Sequence, residues 1–189
     1  MRHNDDSDVK IFTKSQSDDL FAADDFVSLA EQLDLQRASG NMAKAKKLGE
    51  QLAVLTPENE PVKSIMEGKA LTPEILYQIR VLMFFAMQTA THMYLHLPML
   101  YSAAVNCMYD KLISDSPEFY EDISDAAEFT FYYLAIRKDT DVEQHIGNAF
   151  AMLCLKEGDE QLISLGIKIF KGVTNKVIEK IESLSFENN

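Results

Sequence analysis

Thr72-Pro73-Glu74-Ile75-Leu76-Tyr77-Gln78-Ile79-Arg80-Val81-Leu82-Met83-Phe84-Phe85-Ala86-Met87-Gln88-Thr89-Ala90-Thr91-His92-Met93-Tyr94-Leu95-His96-Leu97 is the stretch from which the fold follows. It opens with a helix start: a hydroxyl to cap, a proline at the position whose N–H has no partner, and an acid against the positive dipole end. On a helical wheel Ile75, Leu76, Ile79, Leu82, Met83, Ala86, Met87, Ala90, Met93, Tyr94 and Leu97 fill one continuous side. The polar residues of the other half are interleaved with Val81, Phe84, Phe85 and Leu95. A helix that is apolar nearly all round belongs in the middle of a bundle. A membrane span needs about 20 predominantly apolar residues. Arg80, Gln88, His92 and His96 interrupt this one, so no membrane is expected.

Outward from this helix, start signals and apolar spacing predict about eight helical segments in a single-domain, all-α bundle. Before it come Asp18 to Ala38, Met42 to Leu55 with Asn41 as its cap, and a short segment from Pro61 to Gly68. After it come Met99 to Ile113, opened by Pro98, and a helix started by Ser116-Pro117-Glu118 and ending near Arg137-Lys138. Thr140 or Asp141 then caps a helix through Leu155, and Asp159 starts the last one, to about Leu184. Seven glycines, five prolines and no alternating strand pattern suit long helices. Residues 1–17 are polar and expected to be disordered or loosely packed; residues 18–189 form the helical domain.

The net charge of −12 repels phosphate backbones and anionic headgroups, so nucleic acid is not an expected partner. Cys107 and Cys154 both sit in apolar runs and read as buried thiols in a reducing compartment. With no apolar stretch of signal-peptide length at the start, a cytoplasmic location is expected.

Residues 26–59 have the length of a helical-hairpin repeat. Gly40-Asn41-Met42, Ala45, Leu48, Leu52 and Leu55-Thr56-Pro57-Glu58-Asn59 supply a glycine turn, a small packed residue, an apolar second helix and a closing proline. In these features the stretch resembles a single tetratricopeptide-type hairpin, although its first half lacks that repeat's aromatic and Leu-Gly pair. Ile146-Gly147-Asn148-Ala149-Phe150 followed by Gly158-Asp159 echoes the same repeat's first helix and turn. The resemblance implies helices packed as antiparallel pairs.

Four groups of residues could carry chemistry. His92 and His96, four apart on one helix, would project from one face and suit two ligands to zinc or another borderline metal. His92 has no neighbouring Glu, and Thr89, Met93 and Val142 stand where a carboxylate-bridged di-iron bundle pairs Glu with His. The plainer reading is two histidines at a core edge. Arg80 is the one charge between Glu74 and Asp110 and must find a partner. That partner is either an internal carboxylate or an acidic ligand beside Gln88, Thr91 and His92. Glu118, Glu121, Asp122 and Asp125 share a helix face and could hold magnesium, but Asp139, Asp141 and Glu143 lack the spacing of the second acidic helix this requires. Finally, Ile163, Ile167, Phe170, Thr174, Val177, Ile181 and Leu184 form a heptad seam. It suits packing within the chain first and a homodimer through residues 163–184 second.

No Gly-rich phosphate loop, Ser-centred nucleophile elbow or Cys-rich cluster is present in the sequence. The expected function is therefore a non-catalytic protein-interaction or scaffold module, without a cofactor, acting on a protein partner or on itself. The alternative is a helical protein, conceivably an enzyme, binding a small molecule or metal around Arg80, Gln88, Thr91, His92 and His96.

Overall fold

The computed structural model describes residues 23–55, 71–124, 126–138 and 140–187. The described residues form eight helices and no strand: α1 (Ala23–Ala38), α2 (Asn41–Ala53), α3 (Pro73–Tyr94), α4 (Pro98–Asp115), α5 (Pro117–Ser124), α6 (Phe129–Ile136), α7 (Val142–Leu153) and α8 (Glu160–Leu184). The all-α bundle expected from the sequence is the fold found. The expectations for residues 1–17 and for a helix from Pro61 to Gly68 lie outside the described residues, as do Thr56 to Asn59 of the repeat-like stretch.

The central helix is α3. Thr72 caps it by accepting from the Ile75 N–H at 3.4 Å, and its hydroxyl also holds the Glu74 carboxyl below its ordinary range. From Val81 to Met87 every side chain is buried. The helix packs most extensively on α8 and also touches α4, α5, α6 and α7. No described helix is long and apolar enough to cross a membrane.

Glycines set how closely two helix pairs approach. A Cβ on Gly49 of α2 would strike the Ala104 carbonyl oxygen and stand 2.9 Å from the Cys107 Cβ, so α2 lies backbone against side of α4. On α7 a Cβ on Gly147 would meet the Ile163 carbonyl at 2.7 Å; on α8 one at Gly166 would meet Phe150 at 2.8 Å. The α7–α8 pair thus interlocks through a glycine from each partner. By contrast α1 meets α2 far less extensively than α2 meets α4, and Leu29 and Leu35 of α1 are half-exposed.

Four local details differ from the sequence reading. The helix expected from Pro117 to Lys138 is two helices: Ser124 turns its hydroxyl onto the Glu121 carbonyl at 3.2 Å, and a turn over Ala126–Glu128 separates α5 from α6. Such short hydroxyl-to-backbone bonds compete with the helical ladder. Asn41 does not cap α2; Gly40, at φ 79°, occupies the cap position, and the Asn41 carboxamide is engaged elsewhere. Asp141 precedes α7 in the left-handed region without a capping bond. On α8 the buried line is Leu162, Leu165, Gly166, Ile169, Val173 and Val177. The expected seam is only half-buried apart from Val177, because α8 is gripped by α3 on one side and α7 on the other and its deepest line falls between them.

Candidate functional site

Tyr77, Gln78 and Arg80, near the start of α3, find acids on the chain that follows. Arg80 Nη1 donates to Asp122 Oδ2 of α5 at 2.6 Å, both groups being partly buried. This is the internal carboxylate among the two partners the sequence allowed. Tyr77 donates to Glu128 Oε2 at 3.1 Å, and the Gln78 amide reaches Glu128 Oε1 at 3.5 Å. Burial and the Glu128 charge push the Tyr77 phenol up. Asp122 belongs to the acidic face that could have held magnesium; it serves Arg80 instead, while Glu118 and Glu121 face solvent.

The remaining candidates on α3 point in different directions. Gln88 donates to the Tyr109 hydroxyl at 3.2 Å. Thr91 donates its hydroxyl proton to the Met87 carbonyl at 2.7 Å, and it is fully buried, out of a ligand's reach. His92 is exposed and meets the Tyr101 ring edge-on at 5.1 Å. His96 lies beyond the helix: α3 ends at Tyr94, and Leu95 is extended and buried, so the two imidazoles no longer share a helical face. The end is set by the approach to Pro98, since a residue preceding proline is driven out of the helical region. Among the described residues no three His, Cys, Asp or Glu side chains gather as a metal site.

Gln88 and His92 do come together, in a cleft of about 200 Å³ that also includes Thr89, Met93, Tyr101, Tyr133 and Ile136. Its far wall is α6, Phe129–Ile136, which reads Phe-Thr-Phe-Tyr-Tyr-Leu-Ala-Ile. Tyr132 and Ala135 bury one edge of α6 against Phe85 and the core, with the Phe85 and Tyr132 ring centres 5.3 Å apart. Phe129 and Ile136 pack partly on that core as well, while the remaining large side chains of this apolar helix face outward. Phe131, Tyr133 and Leu134 are 45%, 49% and 55% exposed, and Met93 and Tyr94 at the end of α3 are 62% and 45% exposed. On the other side of α6 a groove of about 430 Å³ runs against α7, with Phe131, Leu134, Ala149 and Met152 as apolar walls and Lys138 and His145 at its polar edge. The helix is thus a ridge with a cleft on each flank. Sequence reading passed over it because α5 and α6 read as one helix, within which these residues pass for core.

A larger cleft, about 640 Å³, opens where the start of α3 faces the end of α7, over Ile75, Gln78 and Cys154. Burial pushes the Cys154 thiol up to about 11, so it is protonated at neutral pH and is not a nucleophile there. No family model, curated protein or solved structure matches the chain.

Proposed function

We propose that the protein acts by binding another protein, through the ridge formed by α6 and the end of α3. The observation that carries this is the exposure of Phe131, Tyr133 and Leu134 on a helix with only one polar residue, Thr130. Contiguous exposed apolar surface of this kind is costly to a free monomer and marks interaction sites. Aromatic side chains supply the large, rigid contact area on which interface energy concentrates. The two flanking clefts would receive side chains of an apolar helix laid alongside the ridge, in the manner of helix-in-groove recognition.

The test places a photo-crosslinking amino acid at Leu134 in the full chain and irradiates it in its native cells. A discrete crosslinked protein that disappears when Phe131→Glu is added supports the reading; a crosslink to a second copy of the chain would make the same ridge a homodimer surface. A chain that stays uncrosslinked, and sediments as a monomer at all concentrations, removes it.

A further inference from the structure

Beyond the ridge, the elbow between α1 and α2 holds a second recognition device. After α8 the chain turns at Ser185, in the left-handed region, and Phe186 and Glu187 run across the elbow. Asn41, fully buried, treats Glu187 as a strand would: its Nδ2 donates to the Glu187 carbonyl at 2.9 Å, and its Oδ1 accepts from the Glu187 N–H at 2.9 Å. A carboxamide carries a donor and an acceptor side by side and so reproduces the paired bonds that residues exchange in an antiparallel ladder. Gln36 holds the carboxamide in place, accepting from the same Nδ2 at 2.7 Å. Lys44, one turn along α2, donates to the Ser185 carbonyl at 2.9 Å and lies 3.8 Å from the Glu187 carboxylate. Phe186 packs against the hydrophobic core.

These contacts divide as peptide-binding sites divide: main-chain bonds give affinity regardless of sequence, and flanking side-chain contacts select it. The Asn41 pair requires only an extended residue, Lys44 selects an acid, and the seat of Phe186 selects an aromatic before it. We propose that the α1–α2 elbow is a receptor for an extended peptide bearing an aromatic-acid pair, occupied in the structure by the chain's own Phe186-Glu187. The resident segment competes at the high effective concentration of an intramolecular ligand, so an outside peptide gains access when that segment is displaced or weakened. This inference does not depend on the α6 ridge.

The experiment uses the full chain and a fluorescein-labelled synthetic peptide of residues 183–189. Phe186→Ala with Glu187→Pro in the protein opens the elbow: the proline removes both the N–H that Asn41 accepts and the carboxylate near Lys44, while every elbow residue is kept. Fluorescence anisotropy is expected to show the peptide binding this chain at least tenfold more tightly than the unaltered one. Adding Lys44→Glu to the opened chain, or placing Glu187→Pro in the peptide, is expected to cost tenfold or more. Lys44 is partly exposed, so its variant tests the elbow without disturbing the buried Asn41. Equal affinity for the opened and unaltered chains, or for the proline-bearing peptide, overturns the proposal. In the unaltered chain, millimolar unlabelled peptide is expected to shift the Glu187 amide resonance; a resonance that stays fixed at saturating peptide counts equally against it.

Discussion

Replacing Gly49 by alanine would drive a methyl group into the Ala104 carbonyl and the Met108 amide, the latter 2.9 Å from the new Cβ. Both are backbone atoms of a helix and cannot rotate away. Overpacking of this kind costs about 1–3 kcal/mol, and a backbone obstacle puts Gly49→Ala at the upper end. Gly40→Ala meets no atom but is strained at φ 79°, at a cost of roughly 1 kcal/mol. Urea unfolding of the two variants should therefore rank Gly49→Ala well below Gly40→Ala; the reverse order would mean that α2 and α4 are not in backbone contact. Tyr132→Phe goes the other way. The hydroxyl is buried without a partner, so its removal is expected to leave stability unchanged or raise it by about 1–2 kcal/mol. Neither Gly49 nor Tyr132 is marked in the sequence. A glycine inside a helix reads as a weakness until the neighbouring backbone is seen, and an apolar run hides which of its tyrosines loses its water.

The elements show where periodicity is informative and where it is not. The start of α3 was legible because Thr72, Pro73 and Glu74 act locally, and its centrality was legible because Val81 to Met87 leave no polar side. Its end was not, since Leu95 and Pro98 stop it three residues before the pattern does. The candidate site suffered from that error: His92 and His96 were paired by a helix that does not reach the second. For Arg80 the sequence allows either an internal carboxylate or an acidic ligand, and only the chain's path through α5 selects Asp122. The α6 ridge escaped altogether, because exposure is a property of what does not cover a helix. Its prediction belongs at this scale. Phe131→Glu and Leu134→Glu together are expected to change stability by about 0.5 kcal/mol or less, as exposed substitutions do, while Tyr132→Ala on the same helix costs about 3–5 kcal/mol. Thermal unfolding of the two variants beside the unaltered chain checks it; a large loss in the double glutamate variant would mean that the ridge packs inside the molecule.

Across the whole molecule, burial falls on groups that ionise in alkali. Burial pushes up the Tyr77, Tyr101, Tyr109 and Tyr132 phenols and the Cys107 thiol, and Cys154 rises from an ordinary 9.0 to about 11. Each group is neutral when protonated, and each holds its proton more tightly in the folded chain than in the unfolded one. Between the unfolded and folded values the folded state carries more protons, so stability falls as pH rises. The loss should begin near pH 9, where unfolded thiols ionise, and for Cys154 be complete as pH passes about 11. A net charge of −12 predicts a second alkaline effect, self-repulsion that grows as phenols and thiols ionise. Salt separates the two, because at 1 M the screening length is about 3 Å and exposed charges cease to repel while buried groups are little affected. Urea midpoints measured from pH 8 to 11 are therefore expected to fall in 1 M sodium chloride as well as at low salt, more steeply at low salt. A fall confined to low salt would assign it to surface repulsion alone. Midpoints flat to pH 11 in both would mean that the thiols and phenols reach water, and that the core around α3 is looser than the packing of Phe85, Tyr132 and Cys154 requires.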